Sequence, residues 1–216
     1  MYNLDKAYSK KFFTRRKSLA WRIPIVCDAI IDVLKPKSVI DIGCGNGDLV
    51  KGFINRNIQT FGIEGTVNAL SDVENFDRIW IYDLRKDKIE HPFTFRKFDL
   101  AICFEVAEHI EPEYTNIFLD NLYSLSDRIL FSAAGPGQGG IHHHNCQPKE
   151  YWEQKFKDKN YIRPDILIDE YVDNTLQQIR PVETLLQFKW QKWRNKKGIK
   201  AYYQNLMYFE RLEKWK

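Results

Sequence analysis

Short apolar runs bounded by turn residues alternate with amphipathic stretches along most of this 216-residue chain. Residues 18–34 carry Trp21, Ile25, Ala29 and Leu34 at roughly helical spacing, with Ile30 and Val33 widening the stripe and Pro36 closing it. Residues 38–43 read as a first strand, because Val39, Ile40 and Ile42 suit a strand covered on both faces. A helix is predicted over 46–54, a strand over 60–64, a short helix over 66–72, and strands over 78–83 and 99–104. Residues 112–123 predict a helix with Pro112 near its first turn, and 128–134 a fifth strand. Gly135-Pro136-Gly137-Gln138-Gly139-Gly140 is a loop by composition. Beyond it come a helix over 148–157, a weak strand over 161–164, a helical stretch over 172–195 interrupted at Pro181, and a final strand over 201–209.

Strands alternating with helices imply an α/β, Rossmann-like doubly wound sheet of about seven strands. Most should be parallel, with an antiparallel last strand. Sheets of this kind bind ligands beyond the carboxyl ends of their strands. Gly43, Glu64, Asp83, Phe104, Glu105 and Gly135 all fall at such ends.

The turn Asp41-Ile42-Gly43-Cys44-Gly45-Asn46-Gly47-Asp48 selects among nucleotide-like ligands. A phosphate-gripping Walker loop needs Lys-Ser or Lys-Thr after its last glycine, and here Asp48-Leu49 follows. A dinucleotide site spaces its glycines as G-x-G-x-x-G, whereas these run G-x-G-x-G, flanked by two acids that are poor hosts for a pyrophosphate. Fixed carboxylates suit a ligand carrying positive charge, such as the sulfonium and ammonium of S-adenosylmethionine. The Asp41-x-Gly-x-Gly-x-Gly pattern resembles motif I of the class I methyltransferases. That resemblance implies donor contacts at Asp41, Gly43, Cys44, Gly45 and Gly47. Glu64, 21 positions past Gly43, is the carboxylate that would accept the ribose hydroxyls, with Gly65 beside it. Asp83 and Leu84 would meet the adenine, and Phe104 and Glu105 complete the pocket. The bland alternative, acids that merely cap loops, would have to hold at three strand ends at once.

The likeness runs further. Ser38-Val39-Ile40-Asp41, Phe98-Asp99-Leu100-Ala101, Phe104-Glu105-Val106-Ala107-Glu108-His109 and Phe131-Ser132-Ala133-Ala134 resemble consecutive blocks of a largely uncharacterised bacterial and viral methyltransferase family. So do Pro136-Gly137-Gln138-Gly139-Gly140, His144 with Pro148, Tyr151-Trp152 and Tyr203-Gln204-Asn205-Leu206. The chain departs from that pattern in carrying His142-His143-His144 where one histidine is usual, with His143 best placed to fill it. It also carries Cys146 in place of an acid, and a basic stretch over 186–200.

If the acceptor is a hydroxyl, a base or a metal must help remove its proton. Glu105, Glu108 and His109 share one side of a turn at helical spacing. Those three with His143 could hold a divalent ion, resembling the small-RNA 3′-end 2′-O-methyltransferases and the quinone-precursor O-methyltransferases. The favoured reading gives the acids to the cofactor pocket and helix capping, with no metal. His143 is the preferred general base, its ordinary pKa lying near neutrality, with His109 and Glu105 as further catalytic candidates. Tyr151 and Trp152 either wall the acceptor pocket or pack on the sheet. Tyr8, Arg15 or Arg16 could close over the donor.

Composition adds bounds. The chain is 44% hydrophobic and 29% charged, with net charge +4 and pI near 8.7, which permits an anionic partner without demanding one. Lys10, Lys11, Arg15, Arg16 and Lys17 form one basic cluster. Lys189, Lys192, Arg194, Lys196, Lys197 and Lys200, interleaved with Trp190 and Trp193, form another. Either could grip nucleic-acid phosphates or be a solvated face. Cys27, Cys44, Cys103 and Cys146 show no zinc spacing and read as free thiols of a reducing cytoplasm. No secretory leader or membrane span is expected. The expected organisation is a single methyltransferase domain over 1–216, with a helical cap over 1–35, a cofactor-binding core over 36–134 and an acceptor side over 135–216. The leading function is S-adenosylmethionine-dependent O-methylation of a sugar, glycan or small-molecule hydroxyl. A metal-assisted RNA 2′-O-methyltransferase and a non-catalytic cofactor-binding scaffold are the alternatives.

Overall fold

The two faces of strand β1 (Ser38–Ile42) bury different partners: Ile40 and Ile42 join one hydrophobic cluster, Val39 another. β1 pairs in parallel with β2 (Gln59–Glu64) and with β4 (Leu100–Phe104). β3 (Ile79–Ile81) extends the parallel ladder beyond β2, and β5 (Arg128–Ser132) extends it beyond β4. β9 (Met207–Arg211) then runs antiparallel to β5, and β6 (Tyr161–Ile162) antiparallel to β9. The order β3-β2-β1-β4-β5-β9-β6 is the expected seven-stranded, mostly parallel sheet with an antiparallel last strand. A separate antiparallel ladder joins β7 (Asp165–Leu167) to β8 (Ile179–Pro181). This computed structural model describes residues 2–70, 76–89, 97–167, 179–181, 186–187, 189–196 and 200–212.

The N-terminal segment folds as α1 (Leu4–Ala7), α2 (Lys10–Arg16) and a 3-10 stretch, Lys17–Arg22. α3 (Ile23–Leu34) follows with proline in its first turn, where a missing N–H costs nothing, and ends on left-handed Lys35. Val26, Ile30 and Leu34 of α3 cover one sheet face together with Phe53 of α4 (Asp48–Ile54) and Trp190. The other face is covered by α5 (Thr115–Leu125) and α6 (Lys149–Lys157), through Phe118, Leu122, Trp152 and Phe156. The ring of Phe156 stacks on Phe209 of β9 at 3.8 Å.

Several boundaries differ from expectation. The predicted strand over 201–209 is a helix, Lys200–Asn205, followed by β9. Tyr202 and Leu206, four apart, both enter the α3-side cluster, so helical spacing was hidden inside an aromatic run. β3 stops at Ile81 because Asp83 turns the chain, its side chain accepting from the Arg85 N–H at 3.0 Å. The helix expected from Asn46 starts at Asp48, behind left-handed Gly47. The helix expected over 112–123 begins as a 3-10 turn, Pro112–Tyr114, and the one over 66–72 is a 3-10 turn, Val67–Leu70. Within the helical stretch expected over 172–195, Ile179–Pro181 is a strand and Gln191–Trp193 a 3-10 turn. Residues 172–178, 182–185 and 188 lie outside the described residues.

Candidate active site

The carboxyl ends of β1, β2 and β4 meet at one cleft. Gly43 turns the chain out of β1 at φ 67°, and a Cβ there would lie 2.4 Å from Val106 Cγ2. Backbone conformation and close approach both demand glycine at this position. The Gly45 N–H donates to Glu64 Oε2 at 2.9 Å, and the Thr66 N–H to Glu64 Oε1 at 3.1 Å. Glu64 therefore ties the turn after β1 to the turn after β2, and each oxygen keeps a second lone pair. Asp41, Gly43, Cys44 and Gly45 line the cleft, as do Glu64, Gly65, Asp83, Leu84, Phe104, Glu105 and His109. Gly47, Glu108 and His143 are not among its lining residues. Gly47 instead forms the N-cap of α4.

The cleft has a roof. Tyr2, Leu4, Tyr8, Phe12, Phe13 and Arg16 of the N-terminal segment line it together with the strand ends, as do Arg22 and Tyr202. The Arg22 guanidinium lies 4.9 Å from the Tyr202 ring centroid. Tyr8 and Arg16 line the cleft, while Arg15 is exposed. Tyr2, Phe13, Arg22 and Tyr202 were not picked out from the sequence. The available signal was a set of aromatic residues inside a segment otherwise too polar to need a core.

Charge is managed differently at each acid. Burial pushes the Asp41 carboxyl up to about 8, with Glu64 and Asp48 adding to the effect and Arg22 opposing it. Burial also raises Glu64, against the N–H bonds from Gly45 and Thr66. At Asp83 burial is overcome by Arg85, whose Nε and Nη2 bond both carboxylate oxygens at 2.9 and 2.8 Å, and the pKa is lowered. Because Asp41 is raised, the stability it contributes is complete below about pH 4, the ordinary Asp value, and is lost as pH climbs through about 8. Glu108, raised by burial and by neighbouring Glu105, acts in the same sense. His109, lowered to about 4, acts oppositely, but only below its ordinary value near 6.5. The melting temperature of the ligand-free protein should therefore fall by roughly 3 °C or more between pH 6.5 and 8.5. Asp41→Asn should make that fall smaller. An undiminished fall in the variant would refute the protonated Asp41.

Just past the carboxyl end of β4, Glu105 is held in the left-handed region at φ 57°, a conformation that non-glycine residues keep only when their surroundings enforce it. Its N–H donates to the Ser132 carbonyl at 2.9 Å, and its Oε1 accepts from Asn205 Nδ2 at 3.4 Å. The backbone carbonyl of Glu108 accepts the N–H groups of His144 and Asn145 at 2.8 and 2.9 Å, anchoring the histidine loop to the turn after β4. His109 Nδ1 bonds the His142 carbonyl at 3.1 Å, and His143 Nδ1 bonds the Gln138 carbonyl at 3.0 Å. A carbonyl only accepts, so both Nδ1 atoms carry the proton, which leaves each Nε2 as a basic nitrogen. The two rings meet edge to face at 4.8 Å. One ligand atom from each of Glu108, His109 and His143 falls within 4.8 Å of the others, and buried Glu108 Oε2 has no hydrogen-bond partner. Burial and the neighbouring Glu105 hold the Glu108 carboxyl up. Glu105 is not in that cluster of three.

Trp152 is only 1% exposed and packs on Phe131, so it belongs to the core and does not wall the cleft. Tyr151 packs, half-buried, against the same cluster. Cys27, Cys44, Cys103 and Cys146 are all free, and Cys146 Sγ lies 3.5 Å from His143 Nδ1.

Residues 19–179 match the model of a family described as "Methyltransferase domain". Among curated proteins, tRNA N(3)-methylcytidine methyltransferase Mettl2 of Drosophila melanogaster is 25% identical over 129 residues, covering 54% of this chain and 40% of that protein. The ubiquinone biosynthesis O-methyltransferase of Nitrosomonas europaea is 33% identical over 90 residues, covering 38% of this chain and 37% of that one. The chain thus spans well under half the length of these relatives. Among solved structures, the plantazolicin methyltransferase BpumL in complex with SAH superposes with a TM-score of 0.56 at 11% identity, covering 92% of this chain and 87% of that one. At that identity the likeness speaks for the fold alone. No helix among the described residues is long and apolar enough to cross a membrane.

Proposed function

Because the chain belongs to the methyltransferase-domain family, we propose that it transfers a methyl group from S-adenosylmethionine to a hydroxyl oxygen of a sugar, glycan or small molecule. The observation that carries this reading is the single cleft lined by a glycine turn and by an acid from each of three strand ends, Asp41, Glu64 and Asp83. The cleft fits that donor. A Cβ is excluded at Gly43, Glu64 retains lone pairs for a diol, and Asp41 is a buried carboxyl that a nearby positive charge would ionise. Leu84 and Phe104 offer apolar cover for a heterocycle. Asp83, engaged by Arg85 through both oxygens, first fixes the end of β3. Bound there, the donor supplies an electrophilic methyl group.

The chain's own residues then position the acceptor, exclude water and take a proton. The aromatic roof of Tyr8, Phe12 and Phe13 shields the cleft. His143 Nε2, with Nδ1–H held by Gln138, would accept the hydroxyl proton at the edge of the cleft, where its ring meets His109, which lines the cleft together with Glu105. Calorimetric binding of S-adenosylhomocysteine, followed by its release with a panel of hydroxyl acceptors, tests the reading. A folded protein that binds neither the donor nor S-adenosylhomocysteine would overturn it.

A second reading, metal-assisted 2′-O-methylation of RNA, is favoured by two observations. Glu108, His109 and His143 could coordinate a divalent ion through nitrogen and carboxylate donors. Residues 6–27 hold seven lysines and arginines and no acid, and Lys10, Lys11 and Arg15 of the roof are exposed. Four phosphate contacts would weaken binding of a single-stranded RNA roughly 50-fold between 50 and 200 mM salt. Fluorescence anisotropy with a short RNA measures this, and no binding at low salt removes the reading. Loss of turnover on chelation, with S-adenosylhomocysteine affinity unchanged, would assign the ion.

A further inference from the structure

We propose that Tyr2 is a positioning residue that clasps the roof of the donor cleft to the acceptor-side histidine loop, so that enclosing the donor and seating the loop are one event. This rests on the donor and acceptor sides assigned above. Tyr2 makes contacts through three of its groups, and two of them meet the loop side. Its hydroxyl donates to the His109 carbonyl at 3.0 Å. Its ring stacks on the His142 imidazole at 5.3 Å and 14°, and tilts against His144 at 5.0 Å. Its main chain is seated on a buried ion pair. The Tyr2 N–H donates to Glu111 Oε1 at 3.0 Å, and Arg85 Nη2 donates to the Tyr2 carbonyl at 2.9 Å. Arg85, only 2% exposed in its side chain, also bonds Glu111 and lies 4.6 Å from the Tyr2 ring centroid.

The other end of the same short segment is fixed to the donor side. A Cβ on Gly65 would lie 2.6 Å from Leu4 Cδ1, and Asn68 Nδ2 bonds the carbonyls of Asp5 and Tyr8 at 2.9 and 3.0 Å. Residues 2–8 therefore span from the turn after β2 to the histidine loop. The His142 carbonyl, whose ring Tyr2 holds, is also the acceptor for His109 Nδ1. His109 in turn packs edge-on against His143. Opening the roof pulls Tyr2 away from His142 and removes what steadies the seat of His109. The donor should accordingly bind first, and the loop should take its working shape only under the closed roof.

Hydrogen exchange followed by mass spectrometry tests this without knowledge of the acceptor. In the native protein, S-adenosylhomocysteine should slow exchange in residues 4–22 and 139–145 together. Tyr2→Ala removes the hydroxyl's hydrogen bond, both ring contacts to the loop and the Arg85 contact with the ring, so loop exchange should accelerate roughly tenfold or more and lose its response to ligand. Slowing of residues 10–22 should persist in that variant. Tyr2→Phe, which keeps the ring and both main-chain bonds, should fall between. Once an acceptor is known, kcat should fall in Tyr2→Ala by a larger factor than the donor KM rises, since Tyr2 also lines the donor cleft. A loop that exchanges identically in native and variant protein would overturn the clasp. If S-adenosylhomocysteine does not bind the native protein, the donor reading fails, and the ligand-free comparison of loop exchange still decides the clasp.

Discussion

Glu64→Ala is expected to weaken S-adenosylhomocysteine binding by roughly 100-fold, about 3 kcal/mol, because charge-assisted bonds of this kind are worth about 1.5–3 kcal/mol each. The residue has two duties. In the free protein its carboxylate receives the N–H groups of Gly45 and Thr66, and alanine would leave both donors, one part-buried and one buried, without that partner. In the proposed complex it also faces the ribose. Glu64→Gln separates the two duties. Its amide oxygen can still receive one N–H, but its NH2 group would face the other donor, so its loss should be smaller and accompanied by a lower melting temperature. Calorimetry on both variants, with melting curves as the folding control, gives the comparison. A folded Glu64→Ala protein with native affinity would remove Glu64 from the donor site.

The second large effect concerns turnover alone. A Cβ on Gly140 would lie 2.0 Å from His143 Nε2 and 2.3 Å from Cε1. Gly140→Ala must therefore push the imidazole aside. The ring is only part-buried, so it can yield at little cost in stability. If His143 Nε2 takes the acceptor proton, Gly140→Ala and His143→Ala should both lower turnover by roughly 100- to 10,000-fold, the usual worth of a placed base. Donor affinity should be unchanged, since neither residue lines the cleft. Full activity in both variants would transfer the role of base elsewhere, with His109 as the first candidate.

How much of this was legible in the chain depended on range in sequence. The β1 turn announces itself because every signal is local: an apolar strand, three glycines in alternation and flanking acids within ten residues. Glu64 and Asp83 could be placed because each ends its own apolar run. β9 was misplaced because Tyr202 and Leu206 follow a helical spacing while Met207, Tyr208 and Phe209 alternate, and the two periods adjoin without a breaker. The role of Tyr2 was invisible for another reason. Its partners stand 83 and 109 positions away, at Arg85 and Glu111, and only folding brings them under it. Trp152 reads equally as a pocket wall or a core residue until its four-residue spacing to Phe156 is seen to face the sheet.

Glu108 contributes to the site in two chemically independent ways. Its peptide carbonyl carries the loop, through His144 and Asn145, while its side chain supplies the acid beside His109 and His143. Only the second depends on which amino acid stands there. The anchor point of the loop is written in the backbone and survives any side chain that keeps the turn. Acceptor chemistry can thus drift at this codon, between ligand, acid and neutral amide, without the architecture being rebuilt around each choice.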